Sequence, residues 1–362
     1  MQLYSAEFHL FRNNDTAKLE FTDGMNLIFG DNGAGKTNVL EAIFFFAAGK
    51  SFRGSKEREM IRFGENECRI GIDFRNRNGK SELAVKLSKK EKKKIYRNGI
   101  EMTRLSGYFG QFRSVIFSPD HLNLVKGGPE ERRRYLDIAI CQSYPVYIAE
   151  LSEFNRVLMQ KNAMLRNISD DGLLDIYNEK LAESSAKITL RRRKYFNLLL
   201  PYAKTIYEEM ATKKEVFECE YRTQADGDTY DELKNSYFET YSSKKESEKE
   251  RGFTLYGAHK DDFIININTK DARSYGSQGQ QRSSVLALKL AEGEMSRSIT
   301  GEYPVFLLDD VLSELDDSRK EFILAKLKGK QVIITDCSKN TSKYNCNNMI
   351  YVENGKYQKI KN

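Results

Sequence analysis

The residues best suited to chemistry form one glycine-rich segment near the start of the chain. In order they are Gly30, Asp31, Asn32, Gly33, Ala34, Gly35, Lys36 and Thr37, which fits the pattern G-x-x-x-x-G-K-[ST]. The glycines let successive backbone N–H groups point at phosphate oxygens, while Lys36 would neutralise the β- and γ-phosphates and the Thr37 hydroxyl would bind Mg²⁺. The segment therefore predicts a nucleoside triphosphate site, and a bare glycine-rich turn is the weaker alternative.

A second candidate is the apolar segment 305–308, which ends in two carboxylates, Asp309 and Asp310. Apolar strands that end in Asp are common, so this pattern is informative only because a phosphate loop precedes it. Beside such a loop, we expect Asp309 to hold Mg²⁺ through its water shell. Asp310 would then polarise the attacking water, which makes Lys36 and Asp310 candidate catalytic residues.

Residues 274–282 resemble the signature loop of ABC-type ATPases. Ser277, Gly279 and Gln280 match its S-x-G-Q core, and a helix is predicted to follow. A serine and a glycine at a helix N-terminus can bind phosphate as the phosphate loop does. Ser277 is therefore a further candidate catalytic and nucleotide-binding residue. Residues 313–316 follow the acidic pair where that superfamily places its D-loop.

The elements that must position these residues begin with a strand, the glycine loop and a helix. Residues 25–29 are more continuously apolar than the segments before them, as a buried strand is, and residues 38–48 have the composition of a buried helix. Alternating apolar positions predict strands before residue 22 and a hairpin at 69–85. Further predicted elements are strands at 263–267, 305–308 and 331–334, and a helix at 283–295.

Between the motifs, residues 145–211 have the spacing of an antiparallel helical hairpin. The first apolar series is Tyr147, Leu151, Phe154, Leu158 and Leu165, with Lys161 at the missing step. The second is Leu174, Tyr177, Leu181, Ser184, Ile188, Arg191, Tyr195, Leu198 and Tyr202. We expect a kink at Pro201 and a mobile polar linker at 226–251.

These patterns predict an α/β protein with an inserted helical arm of the short coiled-coil type, and the resemblance to ABC-type ATPases implies that an ABC-type P-loop ATPase head of mixed sheet and helices carries this arm. Residues 1–120 and 252–362 would form the head, and residues 121–251 the arm with its linker. A length of 362 residues is enough for about two domains.

Composition also indicates the kind of partner and the cellular compartment. The net charge of +7 favours a polyanionic partner only weakly. The five cysteines have no C-x-x-C spacing, which is typical of free thiols in a reducing compartment. The chain begins without a signal-like segment, and its longest apolar block is too short to span a bilayer. We therefore expect a cytoplasmic protein that does not insert into membranes.

Along nearly all of its length the chain resembles the RecF family of bacterial recombination mediators. The matching stretches are 30–38, 50–53, 117–119, 124–127, 131–137, 256–257, 259–262, 276–282 and 308–316. Paired aspartates in place of the Asp-Glu of most ABC ATPases are a further shared trait. The chain departs from the family at Asp120-His121, which is usually two acidic residues, and at Ala258, which is usually proline.

The resemblance implies a head that dimerises around two ATP molecules, each held between one subunit's phosphate loop and the other's signature. It also implies a weak, DNA-stimulated ATPase that acts as a switch on single-stranded, gapped or junction DNA. The implied partners are RecR, RecO and the RecA pathway, in DNA repair, replication, recombination and SOS induction. Thr335-Asp336 stands where transporters place the γ-phosphate histidine, consistent with slow hydrolysis.

Several alternatives remain open at this point. The basic clusters 89–94, 132–134 and 191–194 are candidate DNA contacts, and a solvated charged face is the alternative for each. His259, Asp261 and Asp262 suggest a metal trio, although a structural or interface role is preferred. A transporter ATPase subunit is disfavoured because the long stretch between Lys36 and Ser277 holds the arm. A clamp or nuclease of the SMC kind is disfavoured by the short helices.

Overall fold

The computed structural model describes residues 1–103, 107–166, 171–211, 214–337, 344 and 346–360. Its strands are β1 (Gln2–His9), β2 (Thr16–Glu20), β3 (Met25–Phe29), β4 (Glu67–Asn76), β5 (Gly79–Ser88), β6 (Lys94–Arg97), β7 (Ile100–Glu101), β8 (Ser114–Phe117), β9 (Phe217–Arg222), β10 (Asp262–Ile267), β11 (Lys270–Asp271), β12 (Val305–Asp309), β13 (Val332–Asp336), β14 (Asn348–Glu353) and β15 (Lys356–Ile360). Its helices are α1 (Lys36–Ala48), α2 (Asn123–Lys126), α3 (Pro129–Ser143), α4 (Val146–Arg166), α5 (Asp171–Met210), α6 (Tyr230–Ser243), α7 (Lys245–Arg251), α8 (Ala272–Tyr275), α9 (Gln278–Thr300) and α10 (Asp317–Leu327).

The chain divides into two compact units, which are described separately. The first comprises Met1–His121 and Lys289–Asn362, and the second comprises Leu122–Leu288. This division differs from the predicted domains in the stretch 252–288, which the sequence places in the head. The stretch belongs to the second unit because its strand β10 pairs with β9 over the whole of Asp262–Ile267.

The first unit contains a largely parallel sheet in the order β15-β14-β3-β13-β12-β8, with only β15 antiparallel to its neighbour. Strands β12 and β13 are buried at every position, as parallel strands covered on both faces are. The register places Asp336 beside Phe29, and Thr335 beside Asp309. The carboxyl ends of β3, β13 and β12 therefore lie side by side at one edge of the sheet, where α/β proteins bind ligands.

A second sheet in the same unit is antiparallel and runs in the order β2-β1-β4-β5-β6-β7. Strand β4 alternates buried and accessible positions, which is what a half-buried strand requires. The predicted hairpin at 69–85 is confirmed, since β4 and β5 pair from Asn76 and Gly79 back to Glu67 and Ser88.

The second unit contains the predicted helical hairpin, formed by α4 and α5. Tyr147, Phe154 and Leu165 are buried on α4, as the spacing predicts. Lys161 also occupies a buried position, where its ammonium lies 2.7 Å from the Glu248 carboxylate. The polar interruption in the first series is therefore a buried ion pair.

In the second predicted series Leu174, Leu181, Ser184, Ile188 and Tyr195 are buried, whereas Tyr177 and Arg191 are partly exposed and the adjacent Asn178 and Arg192 are buried instead. Leu198 and Tyr202 are exposed, whereas Leu199 and Ala203 are buried. An α-helix has 3.6 residues per turn, so a strict alternation of threes and fours drifts off the buried face. Helix α4 begins only at Val146, and the last part of α5 packs on β9 instead, where Tyr207 stacks on Phe217.

The polar stretch 226–251, predicted as a mobile linker, forms helices α6 and α7. Helix α6 buries Leu233, Tyr237 and Tyr241, which recur every four residues and so lie on one face. Thr229 caps α6, and α7 carries the Glu248 that pairs with Lys161. The prediction was wrong because three apolar residues at helical spacing are enough to dock a helix whose remaining residues are polar.

Two expectations from composition can be compared with the described residues. No helix among them is long and apolar enough to cross a membrane. In the described part of the chain no disulfide joins any of the cysteines Cys68, Cys141, Cys219, Cys337 and Cys346.

Candidate nucleotide-binding site

The phosphate loop joins β3 to α1 and contains three glycines with positive φ angles. These angles are 157° at Gly30, 80° at Gly33 and 115° at Gly35, a region that residues with a Cβ rarely adopt. A Cβ atom at Gly30 would also lie 2.1 Å from the carbonyl oxygen of Val352, so space as well as conformation requires glycine there. A Cβ at Gly33 would meet no atom within 4 Å, which leaves this side of the loop open.

Lys36 curls back over the loop that precedes it. Its Nζ donates hydrogen bonds to the carbonyl oxygens of Gly30, at 2.7 Å, and Asp31, at 2.9 Å. Helix α1 begins at Lys36, and no side chain caps its N-terminus because the N-cap residue is Gly35. Uncapped first-turn N–H groups beside a lysine form an anion site, which suits a phosphate chain.

The turn between β14 and β15 supports the loop from the other side. The Gly355 N–H donates a 3.0 Å hydrogen bond to the carbonyl oxygen of Ala34. Loop and turn enclose a cleft of about 230 Å³ lined by Asp31, Asn32, Gly33, Ala34, Val352, Glu353 and Asn354. The sequence interpretation missed this support, although Asn354-Gly355 between two apolar segments is a strong hairpin signal.

Thr37 and Asp309, both predicted to hold Mg²⁺, are in direct contact. The Thr37 hydroxyl donates to Asp309 Oδ1 at 2.8 Å, and the Thr335 hydroxyl donates to the same oxygen at 2.9 Å. Burial raises the pKa of Asp309, and these two hydrogen bonds oppose the rise. A hydroxyl and a carboxylate oxygen are hard oxygen ligands of the kind Mg²⁺ prefers, so these residues fit the ion.

Asp310 has an unusual backbone conformation next to this contact. Its φ angle is 52°, and its N–H donates a 3.0 Å hydrogen bond to the Thr335 hydroxyl oxygen. A left-handed conformation at a residue other than glycine costs about 1 kcal/mol or more and is frequent at functional sites. Its Oδ1 is buried and has no hydrogen-bond partner among the described residues. The carboxylate therefore retains an acceptor that could orient a water molecule.

Thr335 and Asp336, predicted at the γ-phosphate switch position, have different environments. Thr335 connects Asp309, the last residue of β12, to the following Asp310, since it donates to Asp309 and accepts from Asp310. Asp336 accepts a 2.7 Å hydrogen bond from the Tyr344 hydroxyl. Ligand atoms of Asp310, Asp336 and Cys337 lie within 4.8 Å of one another. Cys337 had not been linked to the site by its sequence pattern.

A buried glutamate behind the loop was also missed. Glu41 lies in α1 with its side chain fully buried, and Arg12 holds it through two hydrogen bonds of 2.6 and 2.8 Å. The Ser51 hydroxyl donates to the same carboxylate. Arg53 lies 4.0 Å from Glu41 and donates to Asn38 Oδ1 at 3.3 Å. The one charged residue in the otherwise apolar stretch 39–48 of this helix was the signal that could have revealed this cluster.

The signature residues lie in the second unit, at the start of α9. The Ser277 hydroxyl oxygen accepts a hydrogen bond from the Gln280 N–H at 3.2 Å, and the Gln280 side chain accepts one from the Ser277 N–H at 2.8 Å. This reciprocal pair is a capping box, and it leaves the Ser277 hydroxyl proton available for donation. Ser277 is exposed, and Gly279 lies in the first turn of α9. The second unit thus carries a serine-capped helix end suited to phosphate.

Two of the candidate DNA-binding arginines are structural. Arg132 is nearly buried and makes two hydrogen bonds, of 2.6 and 2.9 Å, to Asp262. Arg192 is 3% exposed and makes an equivalent pair, of 2.8 and 2.9 Å, to Asp137. Both geometries are the paired type that fixes an arginine in place. Neither guanidinium is therefore available to nucleic acid.

The remaining basic candidates are more accessible. Arg191 is paired with Glu150 at 2.8 Å and remains partly exposed. Lys89, Lys90 and Lys92 are exposed, and none of them has a carboxylate within ion-pair distance among the described residues. Unpaired surface lysines are the side chains that release counterions when a polyanion docks.

His259, Asp261 and Asp262 do not converge on a common point. Asp261 is fully buried and accepts hydrogen bonds from Thr189, at 2.8 Å, and Tyr221, at 2.6 Å. Asp262 pairs with an arginine, and burial lowers the pKa of His259 to about 4. All three residues thus have partners within the second unit, and no cluster that includes them is suited to a metal within the described ranges.

Comparison with protein families gives one match that covers almost the whole chain. The model of the RecF/RecN/SMC N-terminal domain matches residues 2–360. The DNA replication and repair protein RecF of Bacillus subtilis is 39% identical over 348 residues, which are 93% of this chain and 94% of that protein. The RecF of Geobacillus kaustophilus is 42% identical over 337 residues, or 91% and 90% of the two chains.

Solved structures show the same similarity. The recombination mediator protein RecF with ATP, of the RecFOR pathway, superposes with a TM-score of 0.94 at 35% identity and covers 99% of this chain and 98% of its own. A Pyrococcus furiosus Smc head domain bound to the C-terminal domain of ScpA gives a TM-score of 0.57 at 16% identity, covering 99% and 96% of the two chains. The second likeness shows the fold alone. The predicted α/β fold, an ABC-type ATPase head with a helical insertion, is confirmed.

Proposed function

The chain belongs to the RecF family within the RecF/RecN/SMC N-terminal domain proteins, and on this premise we propose that it is an ATP-dependent DNA-binding protein of recombinational repair and replication. Its relatives are DNA replication and repair proteins, and a similar structure is of RecF with ATP. In this proposal ATP controls an association state, and hydrolysis resets it. The expected cellular location is the cytoplasm.

One observation carries the nucleotide part of the proposal, namely the hydrogen bond between Thr37 and Asp309. It joins the end of the phosphate loop to a carboxylate at the end of β12, which is separated from β3 by β13 in the sheet. Thr37 and Asp309 would hold Mg²⁺, whose charge supports the β- and γ-phosphates, and Lys36 would bind those phosphates directly. Asp310 would orient the water that attacks the γ-phosphate, using its unpaired Oδ1.

The proposed active form is a dimer. Each chain offers one phosphate loop, in the first unit, and one signature, in the second. Ser277, Gly279 and Gln280 of one copy would meet the ATP held by Lys36 and Thr37 of the other. The Ser277 hydroxyl proton and the N-terminus of α9 would then bind the γ-phosphate. If the complete site forms only in the dimer, the separate chains should hydrolyse ATP weakly.

The proposed DNA substrates are single-stranded, gapped or junction DNA. The proposed partners are RecR, RecO and the RecA pathway, with a role in SOS induction. Support for the polyanionic substrate comes from the unpaired lysines Lys89, Lys90 and Lys92 and from the net charge of +7. Electrostatic binding of this kind weakens steeply as salt rises.

The test of the proposal is light scattering in saturating Mg-ATP. Asp310→Asn should accumulate as a dimer because hydrolysis no longer resets the switch, and Ser277→Arg should remain a monomer because its bulk and charge block the signature. Ser242→Arg, at an exposed serine of α6, is the matched control and should dimerise normally. An Asp310→Asn protein that binds ATP but remains a monomer would contradict the proposed dimer mechanism. A DNA affinity that is the same with and without ATP would contradict the proposal that ATP controls DNA binding.

A further inference from the structure

Phe63 is the most exposed large apolar side chain in the described part of the protein, with 102% of its reference surface accessible. It lies in a turn closed by a 3.0 Å hydrogen bond from the Glu65 N–H to the Arg62 carbonyl oxygen. The turn is anchored, because the Arg62 N–H donates to the Leu10 carbonyl oxygen at 2.8 Å and the preceding Ile61 is buried. An ordered backbone therefore presents the aromatic ring to solvent.

The tip of the β5–β6 hairpin lies beside this turn. The Lys89 N–H donates a 2.9 Å hydrogen bond to the carbonyl oxygen of Asn66, three residues after Phe63. Three residues of extended chain reach at most about 11 Å, so the ring and the hairpin tip share one surface. The next residues on each side, Glu67 and Ser88, are paired between β4 and β5, which fixes the hairpin tip next to the turn.

The lysines of this hairpin divide into two groups. Lys86, Lys93 and Lys94 are paired with glutamates, at 2.8, 2.5 and 3.0 Å respectively. Lys89, Lys90 and Lys92 have no such partner among the described residues and are exposed. The second group therefore leaves three uncompensated positive charges on the surface that carries Phe63.

We propose that Phe63 with Lys89, Lys90 and Lys92 forms a binding surface for single-stranded DNA, in which an unpaired base stacks on the ring and the adjoining phosphates contact the lysines. The inference rests on the proposed DNA-binding function and specifies where and how an unpaired strand is held. Base–aromatic stacking combined with a basic track is the general way in which proteins hold single strands.

The chemistry of the surface favours this occupant over two others. A base inside a duplex is already stacked on its neighbours, so a ring can stack on it only by separating two base pairs at a cost in stacking free energy, whereas an unpaired base or a strand end stacks without that cost. A protein partner would be expected to cover a continuous apolar patch. The sequence neighbours Arg62, Gly64 and Glu65 add no large apolar side chain beside Phe63, and the preceding Ile61 is buried, so this turn exposes a single ring and not a continuous apolar patch.

The chain contains no tryptophan, which allows a direct test. Phe63→Trp places a single indole at the site, and its fluorescence should be quenched by oligothymidine and much less by blunt duplex of equal length. Phe253→Trp, at a partly exposed phenylalanine of the second unit, is the control and should not be quenched. Far-UV circular dichroism should show that both variants keep the fold, since both positions are exposed.

Two affinity measurements complete the test. Phe63→Ala should weaken oligothymidine binding about fivefold to a hundredfold, whereas Phe63→Tyr should keep it. The triple change of Lys89, Lys90 and Lys92 to Gln should reduce the slope of log affinity against log salt by about 2, since each phosphate contact contributes about 0.7 on single strands.

The outcomes separate this inference from the proposed function. Unquenched indole in a protein that is bound to oligothymidine overturns the surface and leaves DNA binding intact elsewhere. If blunt duplex quenches the indole as strongly as oligothymidine does, the proposed stacking of an unpaired base is wrong. If Phe63→Ala leaves oligothymidine affinity unchanged but abolishes dimerisation in Mg-ATP, the ring is a protein contact and the inference is wrong. Failure of the unmodified protein to bind any DNA contradicts the proposed function itself.

Discussion

Replacing Thr335 by valine should slow ATP hydrolysis while leaving ATP binding nearly unchanged. Valine has almost the same shape as threonine, so the buried end of β13 keeps its packing and loses only the hydroxyl. That hydroxyl donates to Asp309 at 2.9 Å and accepts from the Asp310 N–H at 3.0 Å. The change therefore loosens both aspartates without touching the phosphate loop.

The size of the effect follows from these two hydrogen bonds. A hydrogen bond to a charged acceptor contributes about 1.5–3 kcal/mol, and a buried N–H left without a partner costs about 1–3 kcal/mol. The Asp310 backbone is already strained, with a φ angle of 52°. Loss of the hydrogen bond from its N–H should therefore let this residue move to a less strained conformation. If the poorer positioning of the two aspartates removes about 2 kcal/mol of transition-state stabilisation, ATP hydrolysis slows about 30-fold.

Single-turnover hydrolysis of Mg-ATP measures this rate, and fluorescence of a labelled ATP analogue measures binding. Thr335→Ser is the matched control, because serine keeps the hydroxyl and should hydrolyse ATP within about threefold of the unmodified protein. A Thr335→Val protein with unchanged single-turnover rate would refute the reasoning. So would a serine variant that is as slow as the valine variant, because the hydroxyl would then be irrelevant.

Two further predictions concern the second unit. Lys161→Met should lower the free energy of unfolding by about 3–5 kcal/mol in urea titrations, because it leaves the Glu248 carboxylate buried without its counter-ion, and adding Glu248→Gln should restore part of the loss. An unchanged urea midpoint for Lys161→Met would contradict this. The His259 pKa is lowered to about 4 in the folded protein against 6.5 in an unfolded chain, so the unfolded state takes up a proton first as the pH falls. Stability should therefore decrease by about 2 kcal/mol between pH 7.5 and pH 5. His259→Asn should lose most of that dependence, and an unchanged dependence would mean that other groups cause it.

Much of the head could be predicted because its signals are local. Successive residues of the phosphate loop carry the pattern that the backbone geometry requires, and Gly30, Gly33 and Gly35 adopt the positive φ angles that explain their identity. The apolar runs of β3, β12 and β13 likewise specify buried parallel strands. The hairpin of α4 and α5 follows from the spacing of its apolar residues.

Other features depend on residues that are far apart in the chain. No local pattern indicates that Thr335 would connect Asp309 to Asp310, or that Arg12 would hold Glu41. The polar stretch 226–251 looked mobile because composition does not report what a short apolar face packs against. Arg132 and Arg192 looked like DNA contacts because charge alone does not reveal burial.

The sequence by itself determined the chemistry available to this protein, since the phosphate loop, the acidic pair and the signature are each written in a few consecutive residues. Only the tertiary structure decided which of these groups meet. Strand register brings Thr335 beside Asp309, and the hydroxyl of Thr37 reaches the same carboxylate across the sheet edge. The physical reason is that hydrogen bonds and burial depend on distance in space, which the order of residues along the chain does not contain.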